Sequence, residues 1–339
     1  NPANKYLKQE YVTEHVEGLD EPFLAGTHTT FLSEHSKTIV NKITSPDLGS
    51  GYSLNPYQGC EHGCIYCYAR NTHQYWGYGA GLDFERKIIV KENAPELLVK
   101  QLKSPNWQPM PIMLAGNTDC YQPIEAKKKI TRRILEVLLK YRHPVSIITK
   151  NALILRDLDV LRELNKLDLV HVNISITTLD EKLRQKLEPR TATGARRLEV
   201  VRQLSTAGIP VNVMVAPIVP GLNDAEIPQI IKQAAEAGAQ NVAYTIVRLN
   251  GEVGAVFEDW LRQAFPDRAQ KVLNQVADCH GGQLSDSRFG TRMRGEGNFA
   301  ETIATLFRIS KQKYMAGRSI KPYNYNHFCT SKGKQLGLF

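Results

Sequence analysis

The sequence contains no apolar run approaching the ~20 residues that a membrane span requires, and residues 1–10 are polar, without the apolar core of a signal peptide. It has no internal repeat and no low-complexity linker, which excludes solenoid and array architectures. Six cysteines are present, but three of them crowd into eight residues. Thiols that close cannot staple distant segments, so a disulfide framework is excluded. A metal site in a reducing, cytoplasmic setting is expected instead. Acids are scarce towards the C-terminus: from 280 to 339, Asp286, Glu296 and Glu301 face ten Lys or Arg, which leaves seven of the chain's nine excess positive charges there. Such a skew suits a polyanionic partner such as nucleic acid, the alternative being a solvated basic tail. The chain opens on Asn1 rather than methionine, so a processed chain or a fragment is expected.

The 339 residues allow one large domain with an appendage, or two ordinary ones. Residues 1–50 show little periodicity and read as an irregular N-terminal arm with one short strand. Beyond them, short apolar runs alternate with amphipathic stretches. Strands are predicted at 53–58, 88–90, 111–115, 145–149, 169–176, 211–216 and 242–247. Helices are predicted at 95–102, 127–141, 152–164, 194–207 and 225–237. Strands alternating with helices imply a parallel sheet, long enough here for a full or partial β/α barrel, whose chemistry sits at the strands' C-terminal ends. After Asn250 the pattern changes to helices near 256–264, 270–279 and 299–311, joined by Gly- and Arg-rich segments.

The segment Asn55-Pro-Tyr-Gln-Gly-Cys60-Glu-His-Gly-Cys64-Ile-Tyr66-Cys67 presents three thiols with three and then two residues between them. Thiolates suit iron–sulfur clusters. Three of them on a four-iron cluster would leave one iron open, and Tyr66 could shield the cluster from water. A zinc site, with His62 or His73 as fourth ligand, is the alternative. The spacing strongly resembles the signature of radical S-adenosylmethionine (SAM) enzymes. That resemblance implies a partial (β/α)6 TIM-type barrel, a [4Fe–4S] cluster on Cys60, Cys64 and Cys67, and SAM on the open iron. It also implies a flavodoxin- or ferredoxin-type electron donor and reductive cleavage of SAM to a 5′-deoxyadenosyl radical that abstracts hydrogen from a substrate.

The same resemblance assigns further SAM contacts. Ala115-Gly116-Asn117-Thr118-Asp119 occupies the place of the family's segment after the second strand, without its usual two glycines and glutamate. This makes Gly116, Asn117 and Asp119 candidates. Asn173 and Ser175 follow the fourth strand. Asn223 lies in 217–224, which resembles the glycine-containing turn near the adenine. Each of these also suits a plain turn or cap.

The string Thr118-Asp119-Cys120-Tyr121-Gln122-Pro123-Ile124-Glu125, with Asn55-Pro-Tyr-Gln-Gly-Cys60 upstream, resembles the spore-photoproduct-lyase-related branch, often labelled DNA-repair photolyases. In spore photoproduct lyase a cysteine shortly before the Asp returns a hydrogen atom. Here Gly116 and Asn117 stand in that neighbourhood and Cys120 lies just past it. Cys120 is therefore either a displaced hydrogen donor or a small buried hydrophobe. Tyr121 is a second catalytic candidate, with Tyr68, Arg70, Gln122 and Glu125 as substrate or supporting groups. The closing residues Gln335, Leu336, Leu338 and Phe339 closely resemble the motif by which bacterial proteins dock on the replicative sliding clamp. The expected organisation is an N-terminal arm (1–50), a core barrel (51–250), a basic helical extension (251–334) and a docking tail (335–339). The expected activity is radical SAM chemistry on DNA. Modification of RNA or protein is one alternative, and a non-catalytic, metal-bound nucleic-acid adaptor is the other.

Overall fold

Short runs rich in Val and Ile make the strands, because β-branched side chains pack well on a pleated surface. A computed structural model describes residues 29–330. Its strands are β1 (Thr30–Glu34), β2 (Val40–Lys42), β3 (Tyr52–Leu54), β4 (Tyr57–Gln58), β5 (Lys87–Lys91), β6 (Ile112–Leu114), β7 (Val145–Thr149), β8 (Val170–Ser175), β9 (Val211–Ile218) and β10 (Asn241–Ile246). One sheet runs β10-β9-β8-β7-β6-β3-β2. Its β3, β6, β7, β8, β9 and β10 are all parallel and β2 is antiparallel at the edge. This is the expected six-stranded partial barrel. Fully buried Ile112, Ile147, Val172 and Val213 face the surrounding helices. Across the sheet, Ser146, Asn173 and Asn212 line the interior and hydrogen-bond to one another.

The expected single strand at 53–58 is two strands. β3 joins the barrel, and β4 turns away after Asn55-Pro56 into a small sheet ordered β1-β5-β4. The arm therefore supplies two described strands, β1 and β2, where one was expected. The helices are α1 (Leu82–Arg86), α2 (Ala94–Leu102), α3 (Glu125–Lys128), α4 (Ile130–Lys140), α5 (Leu158–Lys166), α6 (Glu181–Leu187), α7 (Gly194–Thr206), α8 (Ile227–Glu236), α9 (Glu252–Ala264), α10 (Ala269–Asp278) and α11 (Gly297–Tyr314). The helix predicted over 127–141 is interrupted at Lys129, whose φ is 52°. The Glu125 carboxylate causes the break by accepting the amides of Thr131 (3.0 Å) and Arg132 (3.4 Å) at the start of α4.

The C-terminal extension is packed into the barrel rather than appended to it. Val253, Phe257 and Leu261 of α9 share a second core with Cys64, Tyr66 and Leu187. Past α11 the chain crosses the barrel base, where Tyr323 stacks on His171 with centroids 3.8 Å apart. There the Asn324 amide donates to the Asp168 carbonyl (3.1 Å) and the Cys329 amide to that of Tyr141 (3.1 Å). The expected docking residues Gln335, Leu336, Leu338 and Phe339 lie outside the described residues. Among the described residues no helix is long and apolar enough to cross a membrane.

Left-handed backbone costs an L-residue roughly 1–2 kcal/mol, so Lys129→Gly is expected to hold or raise the melting temperature while Lys129→Val lowers it. A fall with glycine, as for glycine in a continuous helix, would contradict the break.

Candidate active site at a three-cysteine loop

The cysteine loop leaves β4 through Gly59 (φ 78°) and turns again at Gly63 (φ 66°). A Cβ at Gly59 would meet the Lys87 carbonyl at 2.9 Å, and one at Gly63 would strike the Arg190 and Glu85 side chains, so both positions need glycine. Cys60 and Cys64 are buried, Cys67 is half-buried, and all three thiols are free. Burial raises each of them, Cys64 up to about 12. They hold their protons at neutral pH, and metal binding would release them. Among the described residues no three metal-ligating side chains already surround one point, so a cluster would gather thiols that now stand separately on one loop.

The loop pairs only part of its own backbone, through the Gly63 amide on the Cys60 carbonyl and the Cys67 amide on that of Cys64 (3.3 Å each). The rest of its buried polar backbone is satisfied by side chains from outside. Arg70, fully buried, donates Nε to the Cys64 carbonyl (2.9 Å) and Nη2 to that of Gly63 (3.0 Å). Its Nη1 reaches the Ala80 and Gly81 carbonyls at 3.0 and 2.9 Å. Glu85 pairs with Arg70 at 2.6 Å and with Arg190 at 2.5 Å, while Arg190 also donates to the Glu61 carbonyl. From the other side, Gln122 Nε2 donates to the Gly59 carbonyl (3.2 Å) and its Oε1 accepts the Glu61 amide (2.9 Å). The Ile124 amide donates to the Glu61 carboxylate (2.7 Å). The Thr118 hydroxyl bonds the Tyr57 carbonyl (2.6 Å) and the Tyr57 hydroxyl bonds Glu125 (2.5 Å). The 118–125 string thus bolts the strand-2 loop to the cysteine loop.

The polar groups at the strands' C-terminal ends fall into two networks. Asp119 accepts from the Tyr121 amide (2.9 Å), the Thr149 hydroxyl (2.8 Å) and the Lys150 amide (2.8 Å), and lies 3.4 Å from His62. Burial would raise its carboxyl, but His62 and the donated bonds outweigh it and hold it at about 2. The second network surrounds fully buried Glu188, which takes the Tyr66 hydroxyl, Thr177 (2.6 Å) and Arg197 (2.5 Å). Burial opposes its ionisation, yet Arg197 and Lys150 keep it at about 2. Burial would likewise pull the Lys150 ammonium down, but Cys64 in its thiolate form and the Glu188 carboxylate raise it. Lys150, at the end of β7, is thus a cation directed at the cysteine loop.

The remaining sequence candidates divide by what their side chains already do. Gly116 accepts the Tyr68 hydroxyl on its carbonyl. Asn117 bonds Thr72 (3.3 Å) and, through its amide, Asn55 (2.8 Å). These two and half-exposed Tyr68 sit at the mouth beside the cysteines. Ser175 is buried at the end of β8. Asn173 lies deeper, its amide spent on Ser146 and the Ile147 carbonyl (3.0 Å each). Asn223 accepts the Val219 amide (2.7 Å) and donates to the Thr177 and Pro217 carbonyls (2.8 and 3.0 Å), so it closes its own turn. The two residues expected to be catalytic are packed inward. Cys120 is fully buried in the main core, where a thiol acts as a small hydrophobe. Tyr121 is equally buried, with its hydroxyl on Asp157 at 3.1 Å.

The radical SAM superfamily's sequence profile matches residues 54–234. The chain belongs to the radical SAM superfamily. An uncharacterized protein of Mycobacterium tuberculosis H37Rv is 34% identical over 241 residues, 70% of this chain and 71% of that one. An uncharacterized protein of Methanocaldococcus jannaschii is 31% identical over 243 residues, 71% and 86% of the two chains. Among solved structures, spore photoproduct lyase complexed with a dinucleoside spore photoproduct superposes with a TM-score of 0.63, covering 87% of this chain and 82% of that one. At 16% identity that likeness is one of fold. Radical SAM enzymes use a [4Fe–4S] cluster and SAM, and this radical SAM enzyme's three free thiols on one supported loop fit the cluster's donor set. His62 spends its ring nitrogens on Asp119 (3.4 Å) and Asn151 (3.1 Å), so it is not a fourth ligand in waiting. Sequence reasoning missed Glu85, Lys150, Glu188, Arg190 and Arg197. Each is an ordinary charge at an uninformative spacing, and folding alone brings them to the loop.

Arg70→Lys keeps the charge but loses the fork that reaches four carbonyls. Each buried carbonyl that the lysine leaves unsatisfied is expected to cost roughly 1–3 kcal/mol in stability, together with reduced iron retention. Wild-type stability and iron content would contradict the clamp. A carboxyl held low stabilises the fold above about pH 4 and loses that contribution as pH falls towards about 2, here about 2 kcal/mol. Urea unfolding of Asp119→Asn should show that deficit near neutrality and a narrowing gap in acid; a gap unchanged by pH would contradict it.

Proposed function

We propose that Cys60, Cys64 and Cys67 hold the cluster and that this enzyme acts on DNA, repairing a lesion or modifying a base. The cluster and SAM together supply a 5′-deoxyadenosyl radical when an external donor delivers one electron. The protein's share is placement and exclusion of water. Tyr66, hydrogen-bonded to Glu188, walls the loop with apolar α6 and α9 side chains behind it. Lys150 is suited to meet the SAM carboxylate, and Gly116, Asn117 and Ser175 line the remaining approach. Asp119 and Asn223 serve by fixing the strand ends rather than by touching SAM.

The observation that carries the DNA reading is the basic character of the segment packed beside the mouth. Arg288, Arg292 and Arg294 cluster within seven residues, and Met293 is bound to the end of β10 by the Ile246 amide (3.0 Å). Arg288 is paired with Asp286 and Glu296 and Arg292 with Asp47, so Arg294, with Arg248 just past β10, supplies the net positive charge that attracts phosphate, and a base would have to leave its stack to reach the interior. The fold shared with spore photoproduct lyase agrees with a substrate of that kind. Docking of the tail on a sliding clamp belongs to the same reading. The chain reaches residue 330 at the barrel base, opposite the mouth, so a tethered clamp would leave the opening free.

The test is anaerobic: the reconstituted enzyme, SAM and a strong reductant, with 5′-deoxyadenosine quantified with and without UV-irradiated DNA. The expected result is product that disappears in Cys64→Ala and rises with irradiated DNA, and clamp binding that disappears on removal of residues 335–339. Stimulation by RNA or a protein, with none by DNA, would select the second reading. SAM cleavage retained by Cys64→Ala would overturn the ligand assignment.

A further inference from the structure

Beyond the cysteine loop, a strip of side chains runs from the mouth to the Arg-rich turn. Tyr68, next to Cys67, is 49% exposed. The helical turn it begins is tied to the loop that follows the last barrel strand, because Asn71 Nδ2 donates to the Asn250 carbonyl at 2.6 Å. Arg248, two residues earlier, therefore stands at the rim, within electrostatic reach of Tyr68 on one side and of Arg292, Asp47 and Asp286 on the other. Among the described residues Arg248 has no ion-pair or hydrogen-bond partner, whereas Arg292 pairs with Asp47 at 2.5 Å. The Arg248 guanidinium is half-buried and its donors remain accessible, so they are free to take an acceptor of a ligand.

The next station is Phe289, 59% exposed. A single exposed aromatic means little, but this one is held on a braced turn. Asp286 takes the Arg288 side chain at 2.9–3.0 Å and the Thr291 hydroxyl at 3.0 Å, and the Gly290 amide bonds Asp47 at 2.8 Å. The Arg292 guanidinium lies 4.3 Å from the centre of the Phe289 ring, backing one face and leaving the other open. A rigid aromatic platform beside a free fork of N–H donors matches one chemistry: a base on the ring and the adjoining phosphate on the guanidinium.

We propose that Arg248 and Phe289 form the grip for an unstacked strand of DNA at the barrel rim, with Arg248 on a backbone phosphate and Phe289, backed by Arg292, stacking a neighbouring base. The proposal rests on the DNA reading above and deepens it, since the grip selects a single-stranded or locally opened segment rather than an intact duplex.

Fluorescence anisotropy with the full chain and a labelled single-stranded oligodeoxynucleotide tests it, titrated at several salt concentrations, with the same sequence as duplex DNA and as RNA for comparison. Arg248→Gln should weaken single-strand binding about tenfold and lower the salt slope by about one. Phe289→Ala should weaken it roughly 5- to 100-fold with the slope unchanged, and Phe289→Trp should retain it. Melting temperatures like the wild type's confirm that the variants fold, and Arg248→Lys, expected between the two, is available should the glutamine variant not fold. Wild-type binding in both Arg248→Gln and Phe289→Ala would overturn the grip while leaving the DNA reading standing. Sensitivity to both changes with RNA, and no binding of DNA, would overturn the DNA assignment and keep the strip as a polynucleotide site. No binding of any polynucleotide by the wild type would overturn both.

Discussion

The Arg70–Glu85 pair beneath the cysteine loop is the contact on which the site depends. A loop that offers three thiols in eight residues has its backbone bent inward and few amides to spare, so its carbonyls need donors from elsewhere. One planar guanidinium with five donors, fully buried and neutralised by Glu85 at 2.6 Å, reaches two of them and ties them to the Ala80 and Gly81 carbonyls. Glu85 then engages Arg190, which holds the same loop from the α6 side. A lysine has neither the reach nor the geometry for this, and an unpaired arginine there would be prohibitive.

That support explains why residues with conspicuous chemistry are not all chemical actors. Gln122 and Glu125 are scaffold: the first straddles the cysteine loop, and the second binds Tyr57 while starting α4. Asp119 joins the ends of β6 and β7, and its low pKa records how completely it is engaged. The groups with charge to spare at the opening are fewer, chiefly Lys150 and Arg248, with Tyr68 exposed beside Cys67.

The barrel was largely legible in the sequence because its strands are mostly apolar runs of three to eight residues separated by amphipathic stretches, a pattern that periodicity reads directly. The cysteine spacing was legible because three ligands of one metal centre lie in one local segment. Other features were settled by contacts distant in sequence. The break at Lys129 comes from Glu125 acting as a cap, which no propensity shows, and the division of 53–58 into β3 and β4 follows from pairing with β6 and with β5. Cys120, Tyr121, Asn173 and Asn223 had suitable chemistry at suitable strand ends, but direction and burial decide what a side chain meets, and both are tertiary properties. For the same reason Glu188 and Arg197, which flank the loop with Lys150, carried no signal.

The account's central claim is that the loop of Cys60, Cys64 and Cys67 carries a cluster with one iron left open to SAM. The most direct measurement is electron paramagnetic resonance of the anaerobically reconstituted, reduced protein before and after addition of SAM, with iron and sulfide quantified on the same sample. The account predicts about four irons per chain and a reduced-cluster signal whose g-values move when SAM is added. Bound zinc in place of iron, or a cluster signal that SAM leaves unchanged, would contradict it.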